Sequence, residues 1–174
     1  MCNYIETISG RKIDFHDPDP DQIVIEDIVH ALRNTCRFGG FVKEFYSVMQ
    51  HSANVALLVP DRFKYQAILH DAAEAYIGDM PTPFKYAMKE YLDLESRIQA
   101  AINSKFGLPD NMPSIIKMAD RVALMTERDR LKPDGTVWED KYEDTIRVPS
   151  STFEWGLGSG DYYCGLIARY KELQ

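Results

Sequence analysis

Two histidines of this chain are spaced so that a pair of helices could bring them together. His51 lies nine residues before Pro60, and His70 lies ten residues after it. If residues 42–59 and 63–77 form helices that turn back on each other at Pro60, both imidazoles lie at the same height across the hairpin. The spacing therefore predicts that the two rings face each other.

Two aspartates are placed to add carboxylates to this pair. Asp71 follows His70 directly, and adjacent residues on a helix diverge by only about 100°, so both can lean toward one ion. Asp120 has an isoleucine and a leucine four residues to either side, which predicts a buried or half-buried stripe. A buried carboxylate is costly unless it is paired or binds a metal. The sequence leaves open that Asp120 instead lies on the helix surface and pairs with Lys117 or Arg121.

Two imidazoles and two carboxylates form a ligand set that hard and borderline divalent cations accept. We therefore predict one divalent metal ion bound by His51, His70, Asp71 and Asp120. Zinc, manganese, cobalt and iron all fit this set, so the sequence does not select among them. Such an ion lowers the pKa of a bound water molecule. The ligand set alone therefore predicts a hydrolytic reaction without selecting its substrate.

Three blocks of the sequence resemble the HD-domain phosphohydrolases. They are residues 46–52 (Tyr-Ser-Val-Met-Gln-His-Ser), 69–83 (Leu-His-Asp-Ala-Ala-Glu-Ala-Tyr-Ile-Gly-Asp-Met-Pro-Thr-Pro) and 117–120 (Lys-Met-Ala-Asp). A bare His-Asp pair carries little information, but the extended run from His70 to Pro83 is specific. The resemblance spans roughly residues 20–130. It is strongest to the bacterial and phage branch that contains 5′-deoxynucleotidases and phage deoxyadenosine triphosphate triphosphohydrolases.

Two further acidic residues are candidates for a catalytic role. Glu74 follows His70 by four residues, so a helix would place both on one face. A carboxyl group beside a metal suits a general acid for the leaving oxygen or a base for water, and the resemblance also implies that Glu74 is catalytic. Asp79 comes just after Gly78, where the helix should end, and the resemblance implies a role close to the nucleotide. The residues alone leave open that Glu74 only stabilises its helix and that Asp79 only forms a turn.

Arg37 and Phe38 lie between the first predicted helix and a pair of glycines. Arginine forms forked hydrogen bonds to phosphate, and an aromatic ring can stack on a base or press on a deoxyribose. The resemblance places the Arg-Trp pair of related deoxynucleotidases at this point, so Phe38 keeps the stacking surface without the indole donor. Lys85 is a further candidate phosphate contact. The alternative, in which Phe38 packs in the core and Arg37 caps the preceding helix, stays open here.

Length and composition fit one globular domain over residues 1–174. A chain of this length can bury a substantial core, and its 45% hydrophobic and 27% charged content is ordinary. Three cysteines without CxxC spacing favour free thiols in a reducing cytoplasm. No apolar run reaches the length of a membrane span, so we expect a cytoplasmic protein without a membrane partner. The formal charge of −7 disfavours a surface for nucleic-acid polymers.

The pattern along the chain predicts a mostly α fold, an HD-type helical bundle with a short N-terminal β-hairpin. Alternation around Ser9 and Gly10 predicts the hairpin in residues 4–15. Helical periodicity, together with glycines and prolines that stop helices, predicts the remaining elements. The predicted helices cover residues 21–34 (with Asp21 as N-cap), 42–59, 63–77, 83–105, 114–131 and 162–172. Residues 132–160 are rich in proline and glycine and are expected to be irregular.

Three classes of function fit these residues. The first is metal-dependent hydrolysis of 2′-deoxynucleotides, which releases phosphate or triphosphate and the deoxynucleoside and could control nucleotide pools, as a phage deoxyadenosine triphosphate hydrolase does. The second is an HD enzyme for another phosphorylated substrate. The third is a non-catalytic HD module that binds nucleotides, which the complete ligand set and Glu74 disfavour. In the first class the partner is a small-molecule deoxynucleotide, and the resemblance also implies a homo-oligomer.

Overall fold

Eight α-helices and a two-stranded antiparallel sheet make up the regular structure of the described residues, apart from short 3₁₀ turns. The computed structural model describes residues 3–132 and 144–174. The strands are β1 (Tyr4–Glu6) and β2 (Lys12–Asp14), and the helices are α1 (Ile25–Asn34), α2 (Val48–Leu57), α3 (Asp61–Ile68), α4 (Glu74–Ile77), α5 (Thr82–Ala87), α6 (Lys89–Phe106), α7 (Ser114–Leu131) and α8 (Gly160–Lys171). With 60% of the described residues helical, the predicted mostly α bundle with an N-terminal hairpin is confirmed.

The N-terminal hairpin packs against α1 through both apolar and polar contacts. Ile5 pairs with Ile13 across the two strands, and Ile13 is fully buried. Ser9 at the turn donates two hydrogen bonds to Asp27 of α1, from its amide at 3.1 Å and from its hydroxyl at 2.7 Å. Gly10 has a φ of +80°, which glycine adopts without a steric penalty. The hairpin is therefore fixed to the bundle at both its base and its tip.

Helix α2, which carries His51, begins six residues later than the predicted start at residue 42. A capping box fixes this start at Val48. The Ser47 hydroxyl accepts a hydrogen bond from the Gln50 amide at 3.1 Å, and the Gln50 side chain accepts one from the Ser47 amide at 2.9 Å. Two amides that have no partner within the helix are thereby satisfied. The prediction that this helix begins at residue 42 was wrong, because the capping box begins it at Val48.

The predicted helix over residues 63–77 is interrupted where the His-Asp pair lies. Helix α3 ends at Ile68 and α4 begins at Glu74, and the residues between them form turns. Here the backbone bonds tighten to a three-residue spacing, including the bond from the His70 amide to the Ala67 carbonyl at 3.4 Å. Nδ1 of the His70 ring also donates a hydrogen bond to the Ala67 carbonyl, at 2.8 Å. This side-chain bond competes with the backbone hydrogen bonds of a regular helix. The prediction of one continuous helix was wrong for this reason.

The remaining boundaries follow the predictions with two exceptions. Met88 has an extended backbone and divides the predicted helix over residues 83–105 into α5 and α6, while Gly107 closes α6 in the left-handed conformation as expected. Asp21 does not cap α1, because Asp19 caps a short 3₁₀ helix at Pro20–Gln22 instead. Helix α7 has the predicted bounds. Part of the segment predicted to be irregular, residues 133–143, lies outside the described residues.

The core of the bundle lies between α2 and the helices that pack against it, α1, α3 and α7. Its fully buried side chains include Ile28, Leu32, Val48, Ile68 and Ile116, and α6 adds Ile98 and Ile102 to the same core. The segment before α8 fixes the far side of α2, because Gln50 and Asn54 donate to the backbone carbonyls of Trp155 at 2.7 Å and Glu154 at 3.1 Å. Among the described residues, no helix is long and apolar enough to cross a membrane.

Candidate metal centre and active site

The imidazoles of His51 and His70 face each other across the α2–α3 hairpin, as their spacing predicts. Both are buried, and their ring centroids are 5.3 Å apart. Nδ1 of His51 lies 2.8 Å from Oε1 of Glu127, and Nδ1 of His70 lies 2.8 Å from the carbonyl oxygen of Ala67. Since a carboxylate or a carbonyl can only accept, each Nδ1 carries a proton. In the neutral ring, Nε2 is then the nitrogen that can bind a metal.

Both Nε2 atoms are directed at carboxylates. Oδ1 of Asp120 lies 3.1 Å from Nε2 of His51 and 3.9 Å from Nε2 of His70. Oδ2 of Asp71 lies 3.6 Å and 3.2 Å from the same two nitrogens. The candidate ligand atoms of His51, His70 and Asp120 all lie within 4.8 Å of one another. The structure therefore brings together the four predicted ligands. Asp120 contacts both histidines, whether or not it also pairs with Lys117 or Arg121 on its own helix.

The hydrogen bonding of the two histidines also fits a metal site. Within the described part of the chain, Nε2 of His51 and Nε2 of His70 are buried and make no hydrogen bond. Buried polar atoms without a hydrogen bond are rare in native proteins, and an ion between these nitrogens and the carboxylates that face them would satisfy both. The Asp120 side chain is 42% exposed, so the cluster opens to solvent on the α7 side. Two imidazoles and two carboxylates in this arrangement could hold a divalent ion.

The electrostatics of the cluster show competition between burial and pairing. Burial and the charge of Arg37 lower the pKa of His51, but the carboxylates of Glu127 and Asp120 outweigh them and raise it to about 10. Burial also lowers the pKa of His70, and the neighbouring carboxylates reverse the direction and raise it. The carboxylates around His51 therefore favour a second proton on its ring when no cation is bound. A bound cation would replace that proton.

Glu127 is a fully buried member of this site that the sequence analysis missed. Its Oε1 accepts a hydrogen bond from the Tyr46 hydroxyl at 2.9 Å and also contacts His51, while its Oε2 lies 3.2 Å from Nε of Arg37. Glu127 follows Asp120 by seven residues, which is nearly two helical turns. That spacing was the available signal. A surface glutamate in a charged helix gives the same signal, so the sequence did not distinguish the two.

Glu74 lies one tight turn after Asp71 and is only 4% exposed. Its Oε1 lies 3.4 Å from Nζ of Lys85, and its Oε2 is buried without a hydrogen-bond partner in the described part of the chain. Burial raises the pKa of the Glu74 carboxyl well above its ordinary value, and the charges of Asp71 and Asp79 raise it further. A carboxyl group whose pKa is raised in this way is suited to donate a proton to a leaving group.

Asp79 and Lys85 lie on the same side of the site as Glu74. Asp79 is half-buried just after Gly78, whose carbonyl accepts a hydrogen bond from the Tyr91 hydroxyl at 2.7 Å. The Asp79 carboxylate contributes to the raised pKa of both Glu74 and Arg37, so it is close to both groups. Lys85 contacts Glu95 at 2.6 Å as well as Glu74. The catalytic role of Asp79 and the phosphate contact of Lys85 stay predictions.

Arg37 is aimed into the site and is only 8% exposed. Its Nη1 lies 3.9 Å from Oδ2 of Asp71, and its Nε faces Glu127. The ring of Phe38 is half-buried, with its centroid 5.5 Å from the Arg37 guanidinium carbon and 5.7 Å from Nζ of Lys132. Phe38 also has a φ of +57°, a strained conformation for an aromatic residue. The pair thus lies at the site, and its contact with substrate stays a prediction.

The fold and this cluster define a class of protein. A helical bundle that gathers His, His-Asp and Asp in that chain order is an HD-domain hydrolase. The family described as YfbR-like 5′-deoxynucleotidase matches residues 41–128, a stretch that contains the four candidate ligands, Glu74 and Glu127. Arg37 and Phe38 lie outside the matched stretch.

Two relatives extend this similarity over more of the chain. The uncharacterised protein YfdR of Escherichia coli (strain K12) is 42% identical over 137 residues, which cover 78% of this chain and 77% of YfdR. An uncharacterised protein of Rhodobacter capsulatus is 41% identical over 126 residues, which cover 67% of this chain and 64% of that protein. The chain belongs to the YfbR-like 5′-deoxynucleotidase family of HD-domain proteins.

Proposed function

We propose that this protein hydrolyses the 5′-phosphate of 2′-deoxynucleoside monophosphates with the help of a divalent metal ion. The observation that carries the proposal is the pair of buried imidazole nitrogens that make no hydrogen bond to the described residues and face two carboxylates. His51, His70, Asp71 and Asp120 would hold the ion. When bound, such an ion supplies an activated water molecule and neutralises charge on the phosphoryl group.

Arg37 and Glu74 supply the acid–base and charge chemistry of the protein itself. Arg37 is buried and remains charged, because Glu127, Asp79 and Asp71 outweigh the effect of burial and raise its pKa. Its guanidinium can form forked hydrogen bonds to the phosphate oxygens. Glu74, whose carboxyl pKa is raised by burial and by the charges of Asp71 and Asp79, donates its proton to the 5′-oxygen as the phosphorus–oxygen bond breaks. Lys85 holds the Glu74 carboxyl in place.

Phe38 is the residue that we propose distinguishes deoxyribose from ribose. A 2′-hydroxyl pressed against an aromatic face loses its water and gains no partner, which costs roughly 1–3 kcal/mol. This penalty corresponds to about five- to over a hundredfold preference for the deoxynucleotide. The left-handed backbone at Phe38 is consistent with a functional demand, since strained conformations concentrate at ligand sites.

A nucleotide panel tests the proposed function. Purified protein loaded with cobalt, manganese or zinc is incubated with deoxy- and ribonucleotides that carry one, two or three phosphates, and the products are separated by chromatography. We expect inorganic phosphate and deoxynucleoside from the deoxymonophosphates. Release of intact triphosphate would reassign the protein as a triphosphohydrolase. Failure to hydrolyse any nucleotide, with metal demonstrably bound, would overturn the proposal.

A further inference from the structure

We infer that Glu127 is a positioning residue that couples metal binding to phosphate binding, because one carboxylate orients both a metal ligand and the phosphate-binding arginine. The arginine half of this inference rests on the proposed function. The histidine half rests on the contact between Glu127 and His51 alone. Neither half requires that Glu127 touch the metal or the substrate.

The first link of Glu127 is to His51. Its Oε1 lies 2.8 Å from Nδ1 of His51, and both side chains are fully buried. This contact sets the tautomer and the rotation of the ring, so that Nε2 faces Asp120 and Asp71. Partners of this kind typically change metal affinity 10- to 100-fold when they are removed. A metal bound by His51 therefore depends on Glu127 for the direction of one ligand.

The second link of Glu127 is to Arg37. Its Oε2 lies 3.2 Å from Nε of Arg37, whose side chain is only 10% exposed. Among the described residues, the other carboxylate in contact with the Arg37 guanidinium is that of Asp71, at 3.9 Å from Nη1. Asp71 is itself a candidate metal ligand, so a bound cation would draw on its charge. Glu127 is then the acid that keeps a buried guanidinium paired and aimed at the site.

A buried chain of hydrogen bonds fixes Glu127 so that it can serve both partners. The Tyr46 hydroxyl donates to Oε1 at 2.9 Å, and Asn54 donates to the Tyr46 oxygen at 2.8 Å. Asn54 is held in turn by the backbone of Glu154, with bonds of 3.1 Å and 2.9 Å. A glutamate that only neutralised nearby charge would not need such support. The arrangement fixes which oxygen faces His51 and which faces Arg37.

Two substitutions separate these links. Glu127→Gln keeps an oxygen that can accept from His51, but turns an amide toward Arg37 in place of a negative oxygen. Glu127→Ala removes both contacts. Asp129→Asn is the matched control, because Asp129 is an acid on the same helix that pairs with Arg128 and Arg147 on the exposed side.

The test measures cobalt binding by calorimetry and inorganic phosphate binding to the cobalt-loaded protein, so that neither readout depends on turnover. We expect Glu127→Ala to weaken cobalt binding by about 10- to 100-fold, and Glu127→Gln to weaken it less. We expect both variants to weaken phosphate binding by roughly tenfold or more, since a buried ion pair is broken and the Arg37 guanidinium is left without its nearest counter-charge. Asp129→Asn should match wild type in both measurements.

A double-variant cycle decides whether the phosphate effect passes through the arginine. In an Arg37→Ala background, Glu127→Gln should cause no further loss of phosphate binding. Additive losses, or wild-type affinities for cobalt and phosphate in Glu127→Gln, would overturn the inference. If Glu127→Ala fails to fold, Glu127→Gln and Glu127→Asp still decide it. If wild type binds both probes but hydrolyses no deoxynucleotide, the proposed function fails while the coupling remains measurable.

Discussion

The two histidines are oriented by partners of different kinds, with different consequences for mutation. The His70 ring is held by the main-chain carbonyl of Ala67, which any residue at that position would provide. The His51 ring is held by the side chain of Glu127, which one substitution can remove. The metal centre is therefore more sensitive to sequence change on its α2 side than on its α3 side.

The first prediction concerns the metal ligands themselves. We expect His51→Ala and Asp120→Ala each to lose the bound divalent ion and all measurable turnover, because each removes a donor from a site where the ligand atoms converge. Metal content after dialysis, measured by emission spectrometry, and circular dichroism separate loss of metal from loss of fold. His30→Ala, at an exposed histidine of α1, is the control. Full activity of Asp120→Ala with unchanged metal content would refute the assignment.

The second prediction separates chemistry from binding at Glu74. We expect Glu74→Ala to bind metal and nucleotide nearly as wild type does, while kcat falls by roughly two to four orders of magnitude, as loss of a general acid typically causes. Steady-state kinetics over a range of substrate concentrations provides both constants. An increase confined to KM, with kcat preserved, would show that Glu74 only binds or supports.

The third prediction concerns the choice of sugar by Phe38. We expect Phe38→Ala to narrow the ratio of deoxy- to ribonucleotide kcat/KM toward one, and Phe38→Trp to keep the preference, because the aromatic face is retained. The ratio is measured with paired monophosphates of the same base. Phe63→Ala is a control, since that ring belongs to α3 and packs against the core. An unchanged ratio in Phe38→Ala would remove Phe38 from the pocket.

At the scale of elements, the site depends on two interruptions in the helices. The backbone tightens between α3 and α4, and the Met88 bend separates α5 from α6. The first interruption directs the side chains of His70 and Asp71 toward the cluster. The second places Tyr91 so that its hydroxyl donates to the Gly78 carbonyl. Sequence periodicity predicted continuous helices through both places. Periodicity reports which residues are apolar. It does not report a side-chain bond such as the one from His70 to the Ala67 carbonyl, which interrupts the helix.

The fourth prediction tests the start of α2, on which the position of His51 depends. We expect Ser47→Ala to lower the free energy of unfolding by about 0.5–2 kcal/mol, since it removes one half of a capping box. Urea denaturation followed by circular dichroism measures the change. Ser104→Ala is the matched control, because Ser104 is an exposed serine within α6. A loss of stability no greater than that of Ser104→Ala would mean that packing alone fixes this end.

Helix α7 and the candidate site show how much of the structure could be predicted from the sequence. The bounds of α7 were predicted correctly, because its periodicity is regular and Pro113 precedes it. The four candidate ligands and Glu74 were identified because their types are unusual at those spacings. Glu127 was missed, since its importance arises from three partners distant in sequence, and spacing within one helix does not reveal them. The left-handed backbone of Phe38 was also not predicted, because its residue type does not suggest that conformation.

At the scale of the whole molecule, a metal would join segments that are far apart along the chain. The candidate ligands come from α2, from the turn before α4 and from α7, which together enclose the core. An ion bound only by the folded arrangement stabilises it by mass action. Metal binding is therefore a property of the assembled bundle and reports on its integrity.

The fifth prediction follows from this linkage. A divalent ion at about one hundred times its dissociation constant should add about 2.7 kcal/mol to the free energy of unfolding. For a chain of this length, that gain raises Tm by roughly 5–11 °C. Differential scanning fluorimetry with cobalt, and then with a chelator, measures the shift. Asp120→Ala should show no shift, and an equal shift in that variant would place the bound ion elsewhere.

The seven-residue interval between Asp120 and Glu127 makes the length of α7, and not only its composition, part of the site. One residue inserted between them would rotate everything that follows by about 100°, and Glu127 would turn away from His51. Exposed positions within the interval, such as Arg121, can vary in type without this effect. Descendants of this protein can thus accumulate substitutions along the outer face of α7. Insertions and deletions should be confined to the segments on either side of the helix.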